Sequence, residues 1–109
     1  MSNELKLDFD KKFDRRGFFK RLHVLMKLFN FKIKINEEKK TRHGCHIRLW
    51  MSKKFENKDI VFFQLLLGSD WRREMFNYYR VLKNVKHWNV LFKRKYDSHM
   101  NLLSEEEQE

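Results

Sequence analysis

Four polar side chains in two short stretches have the types and spacing to handle a phosphate. Asp8 and Asp10 lie in Leu5-Lys-Leu-Asp-Phe-Asp10, and His46 and Arg48 lie in Gly44-Cys-His-Ile-Arg-Leu-Trp-Met51. Two carboxylates one residue apart on an extended chain project to the same side, roughly 6 to 7 Å apart at the backbone, which suits gripping Mg²⁺ or Mn²⁺ through oxygen. Such an ion would in turn hold a nucleoside triphosphate. On a neighbouring strand, His46 and Arg48 would donate to phosphate oxygens, and Trp50 would offer a ring face on which a base can stack. Thr41, Arg42 and the backbone at Gly44 add donors from the preceding turn, where a glycine allows a phosphate to come close.

The elements that must position these groups follow from hydrophobic periodicity. Leu5, Leu7 and Phe9 alternate with Lys6, Asp8 and Asp10, and Cys45, Ile47, Leu49 and Met51 alternate with His46, Arg48 and Trp50; each is the period-two pattern of a half-buried strand. Phe31, Ile33 and Ile35 alternate with Lys32, Lys34 and Asn36, so a third strand covers 31–36. The polar link 37–43 then turns the chain into a hairpin with 45–51. Between the first two strands, Phe18, Leu22, Leu25, Met26 and Phe29 occupy one helix face, with His23 beside it at the surface. Ile60 to Leu67 reads as a short buried helix ended by Gly68. Ser69 or Asp70 caps a further helix over 71–83, with Trp71, Met75, Tyr78, Tyr79 and Leu82 on one face and a basic outer side. His87 to Lys95 reads as a last, basic strand.

This order predicts an α+β fold: a ferredoxin-like, RNA-recognition-like βαββαβ sheet of about four antiparallel strands with helices on one face. In that topology the first and third strands are central neighbours, so Asp8, Asp10, His46 and Arg48 converge on the helix-free face. With 109 residues the chain is expected to form one domain over 1–97, followed by a mobile acidic tail over 98–109 ending Ser104-Glu-Glu-Glu-Gln-Glu109.

Composition narrows the partners. A net charge of +10, from 25 Lys and Arg against 15 Asp and Glu, points to a polyanion, and nucleic acid or a nucleotide leads. Lys32, Lys34, Arg42, His46, Arg48, Trp50 and Lys93 are the expected contact surface. A single cysteine excludes an internal disulfide and fits a reducing, cytoplasmic setting. No apolar run reaches the ~18 residues of a membrane span, so no membrane partner is expected. Alternation sends Cys45 and His46 to opposite faces, which removes a shared zinc site. Zero Pro and three Gly beside many Lys, Phe and Asn suggest a viral or plasmid coding sequence, and hence a virus-infected host cell as one setting.

The two motifs also resemble a family. Leu-Asp-Phe-Asp at 7–10 resembles the acidic first motif of the archaeo-eukaryotic primase and primase-polymerase superfamily, and Thr41-Arg-His-Gly-Cys-His46 followed by Ile-Arg-Leu resembles its second. The resemblance implies an RNA-recognition-like core, Asp8 and Asp10 as ligands of Mg or Mn, and His46 on the phosphates of an incoming nucleotide. Family members carry a third acidic residue on a later core strand, and Trp88 to Lys95 contains none. The leading expectation is therefore a small, degenerate primase-like protein that binds nucleic acid or nucleotide without turnover. The alternatives are a metal-dependent nucleotidyl-transfer enzyme or subunit, and a protein-interaction module that inhibits or recruits host machinery.

Overall fold

The computed structural model describes residues 1–10 and 12–91. It is an α+β fold in which six elements follow in order: β1 (Ser2–Asp10), α1 (Arg15–Phe29), β2 (Ile33–Thr41), β3 (Gly44–Phe55), α2 (Asn57–Leu66) and α3 (Trp71–Leu82). The three strands form one antiparallel sheet in the order β1-β3-β2, so the first and third strands are neighbours as expected. No helix among the described residues is long and apolar enough to cross a membrane.

Odd-numbered residues of β1 and β3 supply the floor of the core. Leu5, Leu7, Phe9, Ile47, Leu49 and Met51 are buried against Phe18, Leu22 and Leu25 of α1 and against Ile60, Val61, Phe63 and Leu67 from α2 and its end. Rings close both ends of α1. Phe9 meets Phe13 and Phe18 at centroid distances of 4.2 and 5.3 Å, and Phe63 meets Phe29 and Phe55 at 4.9 and 5.1 Å. The Phe9–Phe18 and Phe55–Phe63 pairs are the edge-to-face contacts that aromatic quadrupoles favour, and the other two are tilted.

Local chemistry sets the helix ends. The Asp14 side chain accepts from the Gly17 N–H, so α1 starts at Arg15 and not at Phe18. A Cβ at Gly17 would lie 2.3 Å from the capping carboxylate, so a side chain there would require Asp14 to shift. At the end of α2, Gly68 takes φ +92°; its N–H bonds the Leu65 carbonyl and the Ser69 N–H bonds that of Gln64, the paired closure of a Schellman motif. Asp70 then caps α3 through the Arg72 N–H.

Two expectations about the strands need correction, and the helix over 71–83 turns its polar residues inward and its apolar face out. The hairpin link predicted at 37–43 is mostly strand: β2 continues to Thr41, leaving Arg42 and His43 as the turn. Asn36 is the reason. The register passes from Ile35↔Leu49 to Glu37↔Arg48, so Asn36 is an extra residue that exchanges the faces of everything after it. A period-two reading that stays in phase cannot follow such a bulge.

The second correction concerns the expected fourth strand over 87–95. Its described part, 87–91, is not a strand, although Trp88 and Leu91 are buried; 92–95 lies outside the described residues. The outer edge of β1, where a fourth strand would pair, is already bonded to side chains. Gln64 accepts from the Lys6 N–H at 2.9 Å, Arg73 donates to the Lys6 carbonyl at 2.7 Å, and Ser69 accepts from the Asp8 N–H at 3.0 Å. The Asp70 N–H takes the Asp8 carbonyl at 2.7 Å.

Behind these bonds lies a buried polar cluster. Glu74 accepts from Arg73, from Ser69 Oγ and Gln64 Nε2, each at 2.7 Å, and from Asn77 Nδ2 at 3.1 Å. Arg73 also donates to the Val90 carbonyl at 2.6 Å and to Asn89 at 2.8 Å, which anchors the segment after α3. Removing the cation would leave the Glu74 carboxylate buried beside dipoles alone. Arg73→Met is expected to lose about 3–5 kcal/mol of stability in denaturant melts, and Arg73→Met with Glu74→Gln to recover part of it.

Candidate functional site

β1 and β3 bring Asp8 and His46 together as direct register partners, and His46 Nε2 lies 3.5 Å from Asp8 Oδ1. β2 extends the same rows across the polar face of the sheet. Asp8, His46 and Lys39 form one row, Lys6, Arg48 and Glu37 the next, and Glu4, Trp50 and Lys34 the third. Glu37 Oε1 lies 3.7 Å from Arg48 Nε, and Lys6 Nζ 3.9 Å from Glu4 Oε1. The Arg48–Glu37 pair crosses from β3 to β2 and favours their pairing, whereas Lys6 and Arg48 are like charges set directly opposite and Lys6 turns along its own strand to Glu4.

This face differs from the open platform that the alternation implied. Lys6, Asp8 and His46 are each under 5% exposed, whereas Trp50 at the far row is 45% exposed. Asp10 is exposed, and its Oδ1 accepts from the Lys12 N–H at 2.9 Å, closing the turn that leads into α1. Asp8 therefore faces an imidazole and Asp10 serves a turn. Among the described residues no group of three or more His, Cys, Asp or Glu could hold a metal ion. The acidic pair does not fit the divalent cation that the family resemblance implies.

Gly44 has a structural duty. A Cβ there would fall 1.7 Å from the Phe9 carbonyl oxygen, so its lack of a side chain serves the close approach of β1 to β3. Cys45 is half-buried on the core side, His23 is exposed on α1, and Lys93 lies outside the described residues.

The remaining predicted contacts gather on the β2–β3 ribbon. Lys32, Lys34, Arg42 and Trp50 are exposed, and so are Lys40 and His43. Register sets Lys34 directly opposite Trp50. The Lys32 N–H bonds Ser52 Oγ at 2.8 Å, which fixes the base of the ribbon. Its two acids face arginines. Glu37 lies by Arg48, and Glu38 receives two bonds of 2.8 Å from Arg15 at the start of α1.

Sequence reasoning missed the buried cluster of Gln64, Ser69, Arg73, Glu74 and Asn77. Its signal was present: a glutamine inside the apolar run 60–67, and polar residues at 73, 74 and 77 on one helical face.

Two measurements follow. Mn²⁺, with or without nucleotide, is expected to leave the melting temperature unchanged; a rise that Asp10→Asn abolishes would restore the acidic pair as a metal site. The Glu38 carboxyl is held below its ordinary value, first by the Arg15 hydrogen bonds and then by the Arg15 charge. A depressed carboxyl stabilises the fold above its unfolded pKa and loses that contribution as pH falls through the folded value. Both side chains are substantially exposed, so an Arg15→Ala, Glu38→Gln double-mutant cycle should give a small coupling at neutral pH that shrinks with salt and vanishes in acid. No family model, curated protein or solved structure matches this chain.

Proposed function

We propose that this protein binds nucleic acid without catalytic turnover, and that the β2–β3 ribbon is the contact surface. The observation that carries the reading is the pairing of exposed Lys34 with exposed Trp50, on a ribbon whose turn presents Arg42 and His43. A ring for a base lies beside a cation for the adjoining phosphate, the combination by which single strands are held. Because Arg48 and Arg15 face Glu37 and Glu38, the ribbon's acids are partly neutralised from within. Lys32, Lys34, Lys39, Lys40, Arg42, Lys53 and Lys54 are all exposed along it, in keeping with +10 for the whole chain.

The order β1-β3-β2 and the side-by-side placement of Asp8 and His46 support a ferredoxin-like, primase-related origin. Their burial, with Asp10 committed to a turn, favours binding over phosphoryl chemistry. A catalytic site would need the two carboxylates open to a cation together.

Fluorescence anisotropy with a labelled single-stranded oligonucleotide tests the assignment. Affinity should fall steeply with salt. Lys34→Ala with Arg42→Ala should flatten the slope of log K against log salt by about 0.7 per lost contact. Trp50→Ala should weaken binding by about 1–3 kcal/mol and leave that slope nearly unchanged. Absence of binding at low salt, or binding indifferent to salt, would overturn the proposal.

A further inference from the structure

Helix α3 is amphipathic in the reverse of the usual sense. Its buried residues are Arg73, Glu74 and Asn77, while Trp71, Met75, Tyr78, Tyr79 and Leu82 are 45–60% exposed. The orientation is fixed, because the inward residues are bonded to β1 and to one another, so the apolar side cannot roll inward without breaking those bonds. With ~150–250 Å² for each aromatic side chain, the outward stripe leaves on the order of 500 Å² to water, near the top of the ~300–600 Å² usual for a monomer's largest patch.

The spacing of the stripe specifies a shape. Trp71, Met75, Tyr78 and Leu82 follow at intervals of 4, 3 and 4, the alternation of positions d and a in a heptad. Tyr79, 59% exposed, widens the seam on one side, and the heptad spacing of the other four matches the knobs of one opposing helix.

Charge chooses the partner. Arg72 lies over the Trp71 ring at 5.4 Å and Lys83 over the Tyr79 ring at 5.6 Å, so a cation flanks the seam at each end. In a second copy of the chain, antiparallel pairing would bring Arg72 near the other copy's Lys83, and parallel pairing would bring it near the other Arg72. Both add like-charge repulsion to two molecules that each carry +10. We infer that the Trp71–Leu82 seam of α3 docks an amphipathic helix of another protein, with apolar heptad positions and acidic flanks. Its carboxylates would meet cations already held against the seam.

A designed peptide of about three heptads, with Leu at a and d and Glu at e and g, serves as the probe, and its Lys-for-Glu counterpart as control. Titration into the full chain should show the acidic peptide binding at least tenfold more tightly than the basic one. Met75→Ser with Tyr78→Ser should weaken it at least tenfold; both positions are exposed, so the melting temperature should hold. Trp50→Ala should leave peptide binding unaltered, which keeps this inference separate from the ribbon assignment. Equal binding of the two peptides would overturn the proposal. So would a concentration-dependent dimer of the chain, capture by phosphatidylserine vesicles, or loss of oligonucleotide binding when the Met75 and Tyr78 changes are made.

Discussion

The free edge of β1 is the constraint on which the other features turn. A strand that ends a sheet exposes N–H and carbonyl groups that must find partners once the surrounding surface is dry. Here Lys6 and Asp8 find them in Gln64, Ser69, the Asp70 amide and Arg73, none of which belongs to a strand. Each of those side chains must itself be satisfied in a low-dielectric setting, and Glu74, Asn77 and Asn89 complete the set. The polarity of α3 follows. The helix turns its charged side inward because the strand needs it, and the aromatic side is left to solvent.

The same arrangement explains why the molecule's two exposed chemistries lie on separate elements. The apolar core draws on α1, α2, one sheet face and Trp88, and from α3 only Val81 packs against it, so the α3 stripe lies outside the core. On the sheet, charge alternates along β1 through Glu4, Lys6 and Asp8 and along β2 through Lys34, Glu37 and Lys39, and the paired hydrogen bonds from Arg15 to Glu38 link the start of α1 to β2. Cations and rings beyond those ties, Lys34 and Trp50 among them, face solvent.

Much of this was legible in the residues. Alternation located β1 and β3 and placed Asp8 beside His46, and Gly68 and Asp70 marked the passage from α2 to α3. What escaped has physical causes. The start of α1 was hidden because Asp14, Arg15 and Arg16 carry no apolar period, although Asp14 is a good cap. For α3, a 3.6-residue period reveals two unlike faces but not which one meets the protein, and the usual assignment of apolar to inside fails when the neighbour is an unpaired strand edge. The burial of Asp8 and His46 was equally out of reach, since alternation distinguishes two sides of a strand without saying how deep either lies.

Asn36 carries a consequence of its own. Upstream of it, odd-numbered β2 residues share the face of Met51 and Leu49; downstream, Glu38 and Lys40 share that face while Glu37 and Lys39 cross to the other. One asparagine thus acts as a parity inverter, letting a single strand obey two opposite sidedness rules along its length. Deleting it would return the distal half to the original phase, carry Glu38 away from Arg15, and trade the exposed lysines between the two surfaces without removing a single charge from the ribbon.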